Sequence, residues 1–507
     1  MSRSEKSNIA KNSIFLYLRM FIILGVGLFT SRIVLDALGI DDFGIYNVVG
    51  GVVATFTFLN MSLTNASSRF LSTSMGKGTI EDVNHTFCCI LTIHYLLAIV
   101  IIILAETIGL WFMQTQLVIP PDRHIAAFWV YQSAVLILAI NIISTPYNAL
   151  IVSNERMGAF AYISIIESVG KLSIAYLLYF CRDNHRLIAY ALLLVILQLT
   201  VRAIYTFYCH RNFKESSFKV TWDKYESKEI LKFATWTLNG NIAVIGYTQG
   251  INILLNIFFG PAVNAARGVS VQVQSAVRQF YMSFQTALNP QIIKSYASGH
   301  IDYMHTLILS GSKLSFALIL LIALPIYCNI DYILGVWLKE VPEYTSSFVR
   351  VILIICLLNT QANLLAYGVH ATGNLKRYQI IEGGLLLMVV PVAYIGLRFF
   401  DISPTGVFIV YLLIETVTQV VRIFIVCPLI TLRVSVYLRQ AVFPSILVLI
   451  AASILPMLFM TVGVSGFEGL MASVAISLFS VSFSFLLFGI NSSERKMIQS
   501  FFKNTRK

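Results

Sequence analysis

Charge is scarce in this chain. Asp, Glu, Lys and Arg make up 12% of its 507 residues, where a soluble domain carries about 25%. So few charged groups cannot coat a water-soluble surface of this size. The seven cysteines (Cys88, Cys89, Cys181, Cys209, Cys328, Cys356 and Cys427) include no C-x-x-C pair, and no Cys/His cluster is expected among them. Neither a disulfide framework nor a metal site is therefore expected, and buried apolar roles suit these thiols. Also missing are a phosphate-binding Gly-x-x-x-x-Gly-Lys, an H-E-x-x-H and a G-x-S-x-G turn, which argues against an ATP-driven pump and against hydrolases of those types. No outer loop exceeds roughly fifteen residues, too short for an extramembrane catalytic domain, so a non-enzymatic protein without cofactor is expected. The first apolar run is too long for a cleaved leader and no A-x-A site follows it.

What the chain has instead is apolar length. Hydrophobic residues reach 57%, and runs of about twenty recur from end to end. They predict an all-α polytopic membrane protein with fourteen spans, near 12–35, 45–66, 87–112, 125–147, 159–181, 187–208, 230–258, 265–290, 308–330, 346–368, 379–400, 406–426, 442–463 and 469–490. An even count puts both termini on one side. With that side cytoplasmic, inner loops and tails hold about 21 Lys/Arg and outer loops about 4, the bias that sets orientation. The net charge of +12 then reflects cytoplasmic loops facing anionic lipid, not a nucleic-acid partner. The longest inner loop, 209–229, reads as a joint between two six-helix bundles. Lobes at 1–228 and 229–430 follow, with two further spans and a basic tail over 431–507. An echo between SIIESVGKLSIAYLL in span five and QIIEGGLLLMVVPVAYIGL in span eleven fits such paired bundles.

One span is polar along a face. In NAARGVSVQVQSAVRQFYMSFQTALN, Asn264, Arg267, Gln274, Arg278, Gln285 and Asn289 recur at steps of three, four or seven, which keeps them on one side of a helix. Facing lipid, two arginines and four amides would cost several kcal/mol. They must line a water-filled cavity or pair with other helices, and a cationic, amide-rich cavity suits an anionic cargo. Span seven adds Asn241, Thr248, Gln249, Asn252 and Asn256 at helical spacing.

Depth sorts the remaining charges. Arg202, Arg350, Arg398, Arg422 and Lys232 lie near span ends, where long stems can snorkel to the interface. Glu167 and Lys171 sit deeper, acid first at i and i+4, the geometry of an intrahelical ion pair. They read either as a neutralised pair or as a relay. Glu382 and Glu415 join them as candidates for proton or sodium coupling. Arg278 has no acid on its own helix, so it faces a cavity or pairs across the bundle with Glu167, Glu382 or Glu415.

Several stretches resemble the bacterial polysaccharide flippases of the multidrug/oligosaccharidyl-lipid/polysaccharide exporter superfamily. They are TSRIVLDALGIDDFGIYNVVGG at 30–51, WVYQSAVLILAINIISTPYNALIVSNERMGAFAYISIIES at 129–168, QGINILLNIFFGPAVNAARGVSVQVQSAVRQF at 249–280 and FQTALNPQIIKSYASG at 284–299. The likeness covers most of 10–430, and Gly-Pro-x-x-Asn-Ala-Ala-Arg-Gly at 260–268 is its most specific part. It implies a MATE-like fold of two six-helix lobes around a central cavity with two added helices. It implies a cargo of oligosaccharide linked by pyrophosphate to undecaprenol, and a place in the bacterial inner membrane. Polysaccharide polymerase or assembly proteins are the partners it suggests. It also implies cavity arginines on spans one, two and eight, matched here by Arg32, Arg69 and Arg267. With Arg278, Gln274, Asn252 and Asn256 these form the expected cargo-binding set. Arginine grips phosphate oxygens with a fork of N–H donors, and amides serve sugar hydroxyls. The alternative is a cation-coupled drug or small-molecule antiporter of the same superfamily, which would want deep carboxylates in spans one, two, seven and eight.

Overall fold

The computed structural model describes residues 3–491 apart from 58–59, 61–62, 65, 68–69, 72–73, 76–78, 155, 183–184, 373–375 and 462–465. Arg69 and the basic tail at 492–507 lie outside the described residues. Among the described residues the regular elements are helices. Twelve segments there are long and apolar enough to cross a membrane. They account for the predicted spans in a simple way. Phe21–Ala54 carries the first and the start of the second, and the helix α1 (Arg3–Ala54) is broken between them at Gly39, where φ is +77°. Glycine alone adopts that left-handed backbone without a Cβ penalty. The helix α7 (Pro261–Ala297) is the eighth span; its amides and arginines make it too polar to count among the twelve.

The chain forms two compact units, the first Met1–Gly268 with Leu338–Pro342, the second Val269–Trp337 with Glu343–Lys507. The first unit contains α1, α2 (Ile80–Leu104), α3 (His124–Ser153), α4 (Met157–Leu177), α5 (Arg186–Asn212), α6 (Lys224–Phe259) and the opening turns of α7. Local chemistry sets its helix starts. Thr79 and Asp82 form a capping box at α2, and the Asp223 carboxylate accepts from the N–H groups of Tyr225 and Glu226 at α6. α6 ends at Gly260 (φ +81°), and Pro261 opens α7. Two apolar clusters fill the unit. One joins the second half of α1 to α2, α3 and α5 through Ile45, Val49, Ile101, Tyr131 and Leu187. The other joins α2 to α3, α5 and α6 through Phe87, Leu91, Tyr147, Tyr205 and Ile230. The segment 338–342 is tied in by Lys339, whose ammonium meets Asp36 at 2.7 Å; Tyr179 donates to the same carboxylate.

The second unit contains the rest of α7, α8 (Ile301–Cys328), α9 (Thr345–Thr372), α10 (Lys376–Leu387), α11 (Val389–Phe399), α12 (Pro404–Leu429), α13 (Phe443–Thr461) and α14 (Gly466–Ser484). Its core joins α7, α8, α9 and α12 through Ile292, Ile308, Leu364 and Val426. α12 shows the inverted logic of a membrane helix. Ile409, Leu413, Val417, Val420 and Phe424 are exposed at helical spacing, while Glu415, Thr418, Gln419 and Arg422 are buried. Apolar groups face lipid at no cost, so the polar groups must find partners inside.

Candidate functional site

In the first unit, polar side chains gather where residues 40–54 of α1 pack on α6 and the start of α7. Asn264 donates to both the carbonyl and the side-chain oxygen of Asn252, each at 2.7 Å. Asn252 in turn donates to the Asn47 carbonyl at 3.2 Å. Asn256 makes a two-way amide contact with the backbone of Val118, accepting at 2.9 Å and donating at 3.3 Å. Asn256 and Asn264 are fully buried, and Arg267 is 3% exposed. The backbones here approach closely. A Cβ on Gly44 would overlap the Pro261 carbonyl, and one on Gly268 would come within 2.7 Å of the Asn47 amide nitrogen. Gly44→Ala is therefore expected to destabilise the protein by about 1–3 kcal/mol, read as a lower unfolding temperature in detergent. An unchanged melting curve would show that the helices can move apart freely.

Asn252, Asn256 and Arg267 were expected to line a cargo cavity. The structure places Asn252 in hydrogen bonds that join α1, α6 and α7, ties Asn256 to the Val118 backbone, and buries Arg267. Arg32 and Gln274 are half-buried, and Arg278 is exposed. The sequence stripe is thus packed at Asn264 and Arg267 and open at Arg278. Further down α7 in the second unit, Gln285 is fully buried and donates to the Thr360 carbonyl at 2.9 Å.

A cavity of about 320 Å³ lies within the first unit, bounded by α1, α3 and α5. Tyr46, Asn47, Ser133 and Asn141 supply its polar lining. Sequence reasoning passed over these four. The usable signal was the depth of Asn47 and Asn141 within apolar runs.

The second unit holds a buried polar chain. Arg422, 6% exposed, pairs with Glu382 and donates to Gln419 at 3.0 Å. Gln419 donates to Glu415 at 2.8 Å and to Asn359 at 3.3 Å. Arg422 is therefore no interfacial anchor; it is the charge that neutralises Glu382. Glu415, 2% exposed, has no basic neighbour of its own in sequence and is linked to Arg422 through Gln419. The other expected anchors have varied surroundings. Arg202 stacks on Tyr147 at 4.3 Å and donates to the Ile143 carbonyl, and Arg350 pairs with Asp331 at 2.6 Å, whereas Arg398 is exposed. Asp331 lies outside the spans, and hydrogen bonding from Ser346 together with Arg350 holds its carboxyl below the ordinary range. Lys313, 2% exposed in α8, escaped notice although a lysine in an apolar run is itself a signal.

In the first unit, Glu167 and Lys171 pair at 2.6 Å, as their spacing predicts. Gln198 also donates to Glu167, at 3.0 Å.

No family model matches the sequence, and no curated protein sequence matches it. Solved structures do match the fold. The lipid II flippase MurJ in an inward closed conformation aligns with a TM-score of 0.67 at 13% identity, covering 96% of this chain and 100% of that one. The inward-facing conformation of a multidrug resistance MATE family transporter of the MOP superfamily aligns at 0.62 and 15% identity, covering 82% and 94%. The MATE multidrug transporter DinF-BH aligns at 0.58 and 16% identity, covering 84% and 97%. At such identities the likeness is one of fold: this chain is a multi-pass membrane protein built on the helical architecture shared by MATE transporters and a lipid II flippase.

Proposed function

We propose that the protein is a flippase that turns a pyrophosphate-linked oligosaccharide on an undecaprenyl carrier from the cytoplasmic to the outer leaflet. The observation that carries this reading is Arg278. It is exposed on α7, a helix of 37 residues with no Asp or Glu, and the Glu382 carboxylate, one of its candidate counter-ions, pairs with Arg422 instead. A guanidinium left open in a membrane protein is matched to an anionic cargo such as pyrophosphate. The fold likeness supports the same side, because MurJ is matched over 96% of this chain, further than the 82–84% of the two MATE structures. The protein makes no covalent bond in this scheme; its arginine and amides exchange for the water around the head group. The distribution of Lys and Arg supports placement in the bacterial inner membrane with both termini cytoplasmic.

Glu415 favours a second reading, the cation-coupled antiporter, since a buried carboxyl in a span can carry a proton. The two readings separate in cells lacking this protein. The flippase reading expects surface polysaccharide to vanish and lipid-linked units to collect on the inner leaflet, with both reversed by the wild-type chain. Normal surface glycan together with intracellular accumulation of cationic dyes would sink it in favour of the antiporter.

A further inference from the structure

The first unit also holds a metal-donor set made of none of the arginines and amides described above. α2 carries His85 and Cys89 at i and i+4, so both project from one helical face. Glu226, in the first turn of α6, faces them from across the connection between α5 and α6. The His85 Nδ1 and Glu226 Oε2 atoms are 3.0 Å apart, and one donor atom from each of His85, Cys89 and Glu226 lies within 4.8 Å of the others. Donors around a tetrahedral zinc ion are separated by roughly 3–4 Å, given bonds of about 2.0–2.3 Å. A small inward movement of the His85 and Glu226 side chains closes that difference. Cys89 is the fixed member, fully buried, while His85 is exposed and Glu226 half-buried. An ion can therefore approach from the open side.

The surroundings hold this arrangement in place. Asn84 donates to the carbonyls of Glu215 and Ser217, both at 2.7 Å. The N–H of Lys219 reaches the Cys88 sulfur at 3.4 Å, and the N–H of Thr221 reaches the Thr92 hydroxyl at 3.3 Å. The connection is thus docked along α2 for three successive turns. Asp223 then caps α6 through the N–H groups of Tyr225 and Glu226, which fixes the first turn that carries Glu226.

We propose that His85, Cys89 and Glu226 bind a zinc ion, which clips the start of α6 to α2. One nitrogen, one sulfur and one oxygen donor suit Zn²⁺, or its surrogate Co²⁺, and do not suit Mg²⁺ or Ca²⁺, which prefer oxygen alone. Binding releases the thiol proton to water, and a water molecule completes the coordination. The ion ties the connection between spans six and seven to span three.

The test uses the full chain, purified in detergent through a tag free of histidine and titrated with Co²⁺. Binding of one equivalent with a near-ultraviolet sulfur-to-cobalt charge-transfer band is expected. The band should disappear in Cys89→Ser, persist in Cys88→Ser, and require at least about tenfold more Co²⁺ in His85→Ala or Glu226→Gln. Zn²⁺ should displace Co²⁺ and raise the unfolding temperature of the wild type but not of Cys89→Ser. Absence of the band in the wild type, or its survival in Cys89→Ser, overturns the proposal. Should a variant fail to fold, the wild-type pair of readings, the band and the zinc-dependent shift in unfolding temperature, still decides it.

Discussion

Replacing Arg278 by alanine is expected to reduce surface glycan about 10–100-fold at matched membrane levels. A charge-assisted hydrogen bond contributes about 1.5–3 kcal/mol, and the forked contact to a pyrophosphate supplies at least one such bond. Arg278→Lys should recover part of the activity, since it keeps the charge and loses the fork. Arg278→Glu should be at least as defective as alanine. Because Arg278 is exposed, these variants should unfold within a few degrees of the wild type. Arg267 provides the contrast. It is 3% exposed among packed helices, so Arg267→Ala should lose stability and export together. Full export by Arg278→Ala would remove that residue from the cargo site.

The second large effect lies in the pair of Arg422, which is buried, and Glu382, which is half-buried. Removing one partner leaves the other charge without its counter-ion inside the protein, a loss of about 3–5 kcal/mol. Arg422→Ala and Glu382→Ala should each unfold well below the wild type. Added salt should not reproduce either loss, because ions screen buried pairs weakly. The double variant Arg422→Met/Glu382→Leu should regain most of the stability, since an apolar pair of similar volume removes both buried charges. Its export then tells what the pair is for. A stable double variant that still exports glycan marks the pair as structural; a stable one that does not assigns it to coupling. Single variants with wild-type melting curves would show that the pair stores no stability.

Much of this protein was legible without coordinates, and particular residues show why. The spans announce themselves because apolar length is a local property. α7 announces itself as well, through amides and arginines at helical steps, although it is too polar to stand out by hydropathy. Glu167 and Lys171 pair as their spacing predicts, because one turn of helix fixes that distance. The fate of the stripe was not legible. Arg267 and Arg278 share one helical face in sequence, but Gly44 and Gly268 let the helices close tightly at the Arg267 end, whereas Arg278 is left exposed. Arg422 looked like an interfacial anchor because Glu382 lies 40 residues before it, beyond any periodicity. His85 and Cys89 were visible as i and i+4, yet Glu226 joins them from 141 residues past His85. The sequence by itself determined which segments are apolar enough to cross a membrane and which faces are polar. Only the tertiary structure decided which polar groups are used up by neighbouring helices and which stay open. Turn geometry and hydropathy act within a few residues, while the partner of a buried charge depends on which helices pack side by side.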